Sequence, residues 1–195
     1  MNRHGDSVDQ QIAPHLDAAR AGDVAAFTAI YHALAGKVAG FVRGQGVRDV
    51  DDVVNEVFLG VFRNVGTFEG DASAFRSWLF TIARFKASDS VRAAGRSQAM
   101  AVDELPELPI GDVEAEALHA MSGDVVELLD VLTEEQREVI LLRIVADLSL
   151  AQVAEITNRP TGAVKSIQHR ALARLRRHLH DPVSETGPPT IAGKQ

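Results

Sequence analysis

The sequence predicts an all-α protein of two small helical domains joined by an acidic flexible linker, the C-terminal domain being a helix-turn-helix. Three observations predict it. Apolar residues recur at three- and four-residue spacing, and the alternation expected of half-buried strands is missing. All ten aromatic residues lie between Phe27 and Phe85, so anything after them must pack with aliphatic side chains alone. Prolines, glycine and acids gather in the middle of the chain, where helical periodicity stops.

At 195 residues the chain is long enough for one compact domain or two small ones, which excludes a large enzyme barrel. With 46% hydrophobic and 24% charged residues it belongs with globular proteins rather than disordered or fibrous ones. Cysteine is absent, which excludes disulfides, thiolate metal sites and cysteine nucleophiles and suits a cytoplasmic location. Residues 1–13 carry Arg3, His4, Asp6 and Asp9 with no apolar run behind them, unlike a signal peptide. No apolar stretch is expected to reach the roughly 18 to 20 residues of a membrane span, so no direct membrane insertion is expected.

The first long segment, about 12–44, places Phe27, Ile30, Tyr31, Leu34, Val38 and Phe41 on one stripe, with Gly36 and Gly40 as weak points. A second helix, about 50–65, buries Val53, Val54, Val57, Phe58, Val61 and Phe62. A third starts near Ser73 as N-cap and carries Phe75, Leu79, Ile82 and Ala83 inward. Residues 98–116 read as an extended linker, with Pro106, Pro109 and Gly111 among acids. Helicity resumes near Ala117, and Val125, Val126, Leu128, Leu129, Val131 and Leu132 lead to a stop and restart at Thr133-Glu134-Glu135-Gln136, a capping box. A helix over 148–157, a turn at Asn158-Arg159-Pro160 and a final helix over 161–180 follow, the last capped by Thr161. The tail from Asp181 is expected to be disordered. The units are therefore 1–24, an N-terminal segment with the start of the first helix; 25–96, the first domain; 97–118, the linker; 119–180, the second domain; and 181–195, the tail.

Net charge is −7, which by itself argues against a polyanionic partner, but the distribution is uneven. Residues 1–96 hold 11 basic and 11 acidic side chains, 97–136 hold 11 acids and no Lys or Arg, and 137–177 hold 8 basic against 3 acidic. A partner feels these local fields rather than the net value.

Three constellations could carry function. On the last helix Val164, Ala171, Leu172 and Leu175 form a seam, leaving Lys165, Ser166, His169 and Arg170 outward, with Arg174, Arg176 and Arg177 beyond. These are donors for guanine O6 and N7 and for phosphates, as a major-groove helix requires; a merely solvated basic face is the plainer alternative. Residues 83–96 hold Arg84, Lys86, Arg92 and Arg96 beside Phe85, and just upstream the loop 66–73 has two glycines around Phe68, a shape able to cradle a flipped base. Phe68 and Trp78 serve equally well as core residues. Finally, Asp49, Asp52 and Glu56 recur at helical spacing, which admits a divalent metal site, a docking surface for a basic partner, or simple helix N-terminal charge.

These features resemble, in this order, a bacterial RNA polymerase sigma factor of the extracytoplasmic-function (ECF) type. The similarity covers residues 25–178 and is carried by Asp49-Val50-Asp51-Asp52-Val53-Val54-Asn55-Glu56-Val57-Phe58, by Phe75-Arg76-Ser77-Trp78-Leu79-Phe80-Thr81-Ile82-Ala83-Arg84, and by Gly162-Ala163-Val164-Lys165-Ser166. The resemblance implies a promoter-recognition subunit with no catalytic residues, no metal and no cofactor. Asp49, Asp51, Asp52, Asn55 and Glu56 would grip core RNA polymerase. Thr67, Phe68, Glu69, Gly70 and Asp71, with Arg76, Trp78, Arg84, Lys86 and Arg92, would bind the minus-ten promoter element. Arg159, Thr161, Gly162, Lys165, Ser166, His169, Arg170 and Arg174 would bind the minus-thirty-five element. The linker would thread the polymerase channel, and an anti-sigma partner would clamp both domains. Thr81 and Ile82 stand where housekeeping relatives carry paired aromatics, and Phe85 stands where asparagine is usual. Ile167-Gln168 and Leu172 also depart from the usual recognition helix, which shifts base reading to Lys165, His169 and Arg170. A helix-turn-helix regulator binding operator DNA as a dimer is the runner-up, and a metal-dependent helical enzyme a distant third.

Overall fold

The computed structural model describes residues 5–96 and 123–180; the linker and tail expected at 97–118 and 181–195, and the restart of helix near Ala117, lie outside the described residues. Those described form α1 (Gly5–Arg20), α2 (Val24–Gly44), α3 (Val50–Asn64), a 3-10 turn (Val65–Thr67), α4 (Ala72–Arg96), α5 (Gly123–Asp130), α6 (Glu134–Ile144), α7 (Leu150–Thr157) and α8 (Thr161–His180).

The expected single segment over 12–44 is in fact two helices. Gly22 takes φ +89°, a backbone conformation that side chains disfavour, and Asp23 then caps α2 by accepting from the Ala25 and Ala26 amides at 2.8 and 3.0 Å. The chain reverses there, and α1 lays Val8, Ile12, Leu16 and Ala19 into the core. By length and composition α2 is the one helix among the described residues able to cross a membrane, which corrects the expectation that no apolar stretch comes near that size. Its apolar side chains are spent inside the protein, where Ile30, Leu34, Val38, Phe41 and Val42 are completely buried. Gly36 and Gly40 do not interrupt it.

α3 buries the valine face expected of it, but Phe62 is exposed and touches Phe27 only edge-on. α4 is capped by Asp71, not Ser73: the Ala74 amide donates to Asp71 Oδ1 at 2.8 Å and the Phe75 amide to the Asp71 carbonyl at 2.9 Å. Its inward residues Phe75, Leu79, Phe80 and Ala83 are fully buried.

In the second half the Thr133–Gln136 capping box forms as expected, and a second joins Ser149 to Gln152 at the start of α7. Asn158 closes α7 in the left-handed region at φ 52°. The amides of Ala163 and Val164 donate to the Pro160 carbonyl, so Thr161 is the first helical residue of α8 and not its cap. The seam of α8 is Val164, Ile167 and Ala171, with Leu172 and Leu175 half-buried. Val125, expected inward, is exposed.

The two halves touch. Arg76 on α4, 3% exposed, donates from Nε and Nη2 to the Asp9 carboxylate, both at 2.9 Å, and from Nη1 to the carbonyls of Ala146 and Asp147 at 3.1 and 2.6 Å. Arg84 pairs with Glu138 at 2.6 Å, and Gln152 Nε2 donates to the Ser73 carbonyl and hydroxyl at 3.2 and 3.1 Å.

Candidate nucleic-acid interface

The helix-turn-helix presents its polar row as the sequence predicts. Burial of Val164, Ile167 and Ala171 against α6 and α7 fixes the rotation of α8. Lys165, Ser166, His169, Arg170 and Arg174 are thereby left on the exposed side, while Ile167 is core. Ser166 returns its hydroxyl to the Gly162 carbonyl at 3.0 Å, and an added Cβ at Gly162 would meet nothing within 4 Å. Thr161 and Gly162 are exposed at the helix start, where free amides favour phosphate. Arg159 is also exposed but paired with Glu135.

The aromatic loop is more ordered than its two glycines suggest. The Thr67 hydroxyl donates to the Asn64 carbonyl at 3.0 Å, and the Phe68 amide to the Val65 carbonyl at 3.1 Å. The Phe68 ring stacks on Trp78 with centroids 5.0 Å apart and meets Phe75 edge-on at 5.5 Å. Gly70 runs at φ +142°, where a Cβ would stand 2.9 Å from Ala74 Cβ and 3.0 Å from Phe68 Cζ. Only glycine lets the chain pass so close to that ring. Phe68 and Trp78 are therefore partly core and partly surface, while Thr67, Glu69 and Asp71 are exposed.

The cations of α4 are not uniformly available. Arg76 is turned into the contact between the two halves, although the resemblance implies a role for it at DNA. Arg84 faces Glu138, Lys86 meets Glu56 at 2.8 Å, and Arg92 meets Asp89 at 3.3 Å. Ser77, Trp78, Thr81, Arg84 and Phe85 line one wall of a cleft of about 770 Å³, whose other wall is Gln152, Glu155, Ile156 and Asn158. The cleft thus lies between the two candidate DNA-binding units.

Along α3 the acidic row behaves as a surface. Asp49, Asp51, Asp52 and Glu56 are exposed and Asn55 half-exposed, while Val50, Val53, Val54 and Val57 face inward. Among the described residues no group of three or more metal-ligating side chains comes together. Asp51 raises the Tyr31 phenol above its ordinary value, second to burial of that ring.

Two functional candidates escaped the sequence. Arg20, on α1, lies over Phe68 at 5.3 Å from the ring centroid and donates to the Gly70 carbonyl. Asp9 holds Arg76. Neither long-range contact had a local signal, since Gly70 lies 50 positions from Arg20 and Arg76 lies 67 from Asp9. The Ser149-Leu150-Ala151-Gln152 cap, by contrast, was visible as a capping-box pattern.

A helical unit with an acidic helix and an aromatic loop, followed by a helix-turn-helix, has the two-part layout of the sigma-70 class: residues 27–97 match the Sigma-70 region 2 family and 128–177 match Sigma-70, region 4. The chain is 31% identical over 162 residues to the ECF RNA polymerase sigma-E factor of Haemophilus influenzae, covering 77% of this chain and 85% of that protein. It belongs to the ECF RNA polymerase sigma factors. It is also 38% identical over 130 residues to the ECF sigma factor SigD of Mycobacterium tuberculosis, covering 65% of this chain and 61% of that protein, so it spans about three-fifths of SigD's length. CnrH, solved in complex with the cytosolic domain of CnrY, shares the fold at a TM-score of 0.62 and 25% identity, with 86% of this chain and 96% of that chain covered. RpoE of Bartonella quintana, solved with the anti-sigma factor NepR, shares the fold at a TM-score of 0.59 and 22% identity, with 80% and 97% covered.

Proposed function

We propose that this chain is an alternative sigma factor acting in the cytoplasm: it binds core RNA polymerase, confers promoter recognition, and carries no active site of its own. The observation that carries this reading is the occurrence of both sigma-70 regions in order in one chain. The acidic row of α3 (Asp49, Asp51, Asp52, Asn55 and Glu56) is the docking surface for core polymerase, supported by its exposure on a helix whose other face is buried. The loop 67–71 and α4 take the unpaired minus-ten base, and α8 reads the minus-thirty-five duplex through Lys165, His169 and Arg170.

Roughly 25 base pairs separate the two elements, and at about 3.4 Å per pair that is roughly 85 Å. Gln152 and Ser73, one from each half, sit 3.1 Å apart. Engaging a promoter therefore requires the halves to part, breaking the bonds of Arg76 to the Ala146 and Asp147 carbonyls, of Arg84 to Glu138 and of Gln152 to Ser73, and freeing Arg84 for DNA. An anti-sigma partner is supported by RpoE of Bartonella quintana, solved with the anti-sigma factor NepR.

Run-off transcription with core polymerase on a genomic promoter library tests the proposal. Transcripts that depend on the protein and share two upstream elements are expected. A protein that footprints duplex DNA alone and fails to bind core would instead be an operator-binding regulator. Replacing both Asp52 and Glu56 with lysine should weaken core binding in a pull-down, and unchanged affinity would refute the docking assignment.

A further inference from the structure

We infer that Arg20 is a positioning residue for the base-capturing loop, supplied by a helix that lies outside the matched region 2 segment. The inference rests on the reading that residues 67–71 take the unpaired minus-ten base. Arg20 ends α1, where the chain turns at Gly22, and Asp17 holds its Nη1 at 2.8 Å. From there the guanidinium reaches the loop at two points. It lies over the Phe68 ring, 5.3 Å from the centroid, and its Nη2 donates to the Gly70 carbonyl. The backbone follows the same path, for a Cβ on Gly66 would stand 3.4 Å from the Arg20 carbonyl.

These contacts matter because the loop's others come from residues 64, 65 and 74–78, whereas Arg20 holds it from α1. Phe68 is stacked on Trp78, and Gly70 passes over the ring in a conformation open only to glycine. A pocket for an extruded base must be in place before the base arrives, or ordering the loop is charged against binding. Arg20 fixes both the ring and the carbonyl from the α1 side, and a planar guanidinium does both at once where an ammonium cannot.

The test uses full-length protein assembled with core polymerase and fork-junction DNA built from a promoter recovered by run-off transcription. One DNA carries the unpaired minus-ten base, and the other is abasic at that position. The quantity read is the ratio of the two dissociation constants. Arg20→Ala should shrink that ratio by about tenfold, the size expected from losing one cation–π contact and one charge-assisted hydrogen bond. Abasic DNA and core should bind as to wild type. Arg20→Lys, which keeps the charge, should recover part of the ratio. If circular dichroism shows that Arg20→Ala does not fold, Arg20→Met keeps the aliphatic stem without the donors and gives the same test. An unchanged ratio, or an equal loss on both DNAs, overturns the inference and leaves Arg20 with a structural role. A wild-type protein that does not distinguish the two DNAs overturns the loop reading itself.

Discussion

The four helices of the first half enclose five fully buried phenylalanines, whereas those of the second, among the described residues, enclose no aromatic ring and rely on Leu141, Leu142, Leu148, Val153 and Val164. Their lengths differ as well: α2 and α3, bounded by described residues at both ends, run 21 and 15 residues, while α6 and α7 run 11 and 8, although α8 again runs 20. Helices shorter than about 12 to 15 residues are marginal in isolation, because few hydrogen bonds offset the cost of nucleation. Both capping boxes fall in the second domain, where the shortest helices need their end groups satisfied. The comparison teaches that ring packing holds one half, whereas aliphatic packing, with a capping box at each of two short helices, holds the other.

Core deletions should test this most strongly. Phe58→Ala should cost about 3 to 5 kcal/mol and Leu142→Ala about 2 to 5, each through the cavity left behind. In urea unfolding followed by circular dichroism, effects confined to separate transitions would sharpen the comparison. One shared transition shifted by either change would show that the halves unfold as a unit. Next in size is Arg76→Met, which removes the bidentate partner of Asp9 and two bonds to backbone carbonyls. Breaking such a buried pair should cost about 3 kcal/mol. A loss under about 1 kcal/mol in the same assay would mean that the second domain does not lean on the first.

Ser149→Ala should cost about 1 kcal/mol through loss of the α7 cap. The effect should appear in the unfolding of the second domain and leave that of the first unchanged. Smallest is a pH effect confined to the first domain. Tyr31 is raised above 10.0 in the folded state, by burial first and by Asp51 second, so the native state holds its proton longer than the unfolded chain. Stability from this group is whole below pH 10.0 and declines as pH climbs through the raised value. Tyr31→Phe should remove that part of the alkaline decline, and parallel curves for the two proteins would contradict it.

Features written in neighbouring residues were legible in the sequence. Period and composition indicated the all-helical fold, the final helix over 161–180, the Thr133–Gln136 box and the outward row from Lys165 to Arg174. Misreadings occurred where two local signals competed. Asp71 and Ser73 are both good caps, and the hydrophobic stripe of α2 extended smoothly enough into α1 to hide the reversal at Gly22 and Asp23. The placement of Arg76 was illegible for another reason: a cation in a basic stretch looks solvated until folding brings Asp9 and the Asp147 carbonyl to it. Arg20 was hidden in the same way.

Confining every Phe, Tyr and Trp to residues 27–85 has an optical consequence. Near-ultraviolet absorption and emission arise wholly from the first domain and the second is spectroscopically dark, yet Trp78, the single indole, forms part of the cleft wall facing α7. When the second domain swings away, that indole gains water on one side and its emission should shift to longer wavelength. Under the proposed parting of the two halves, the unlabelled protein thus carries its own reporter of that opening.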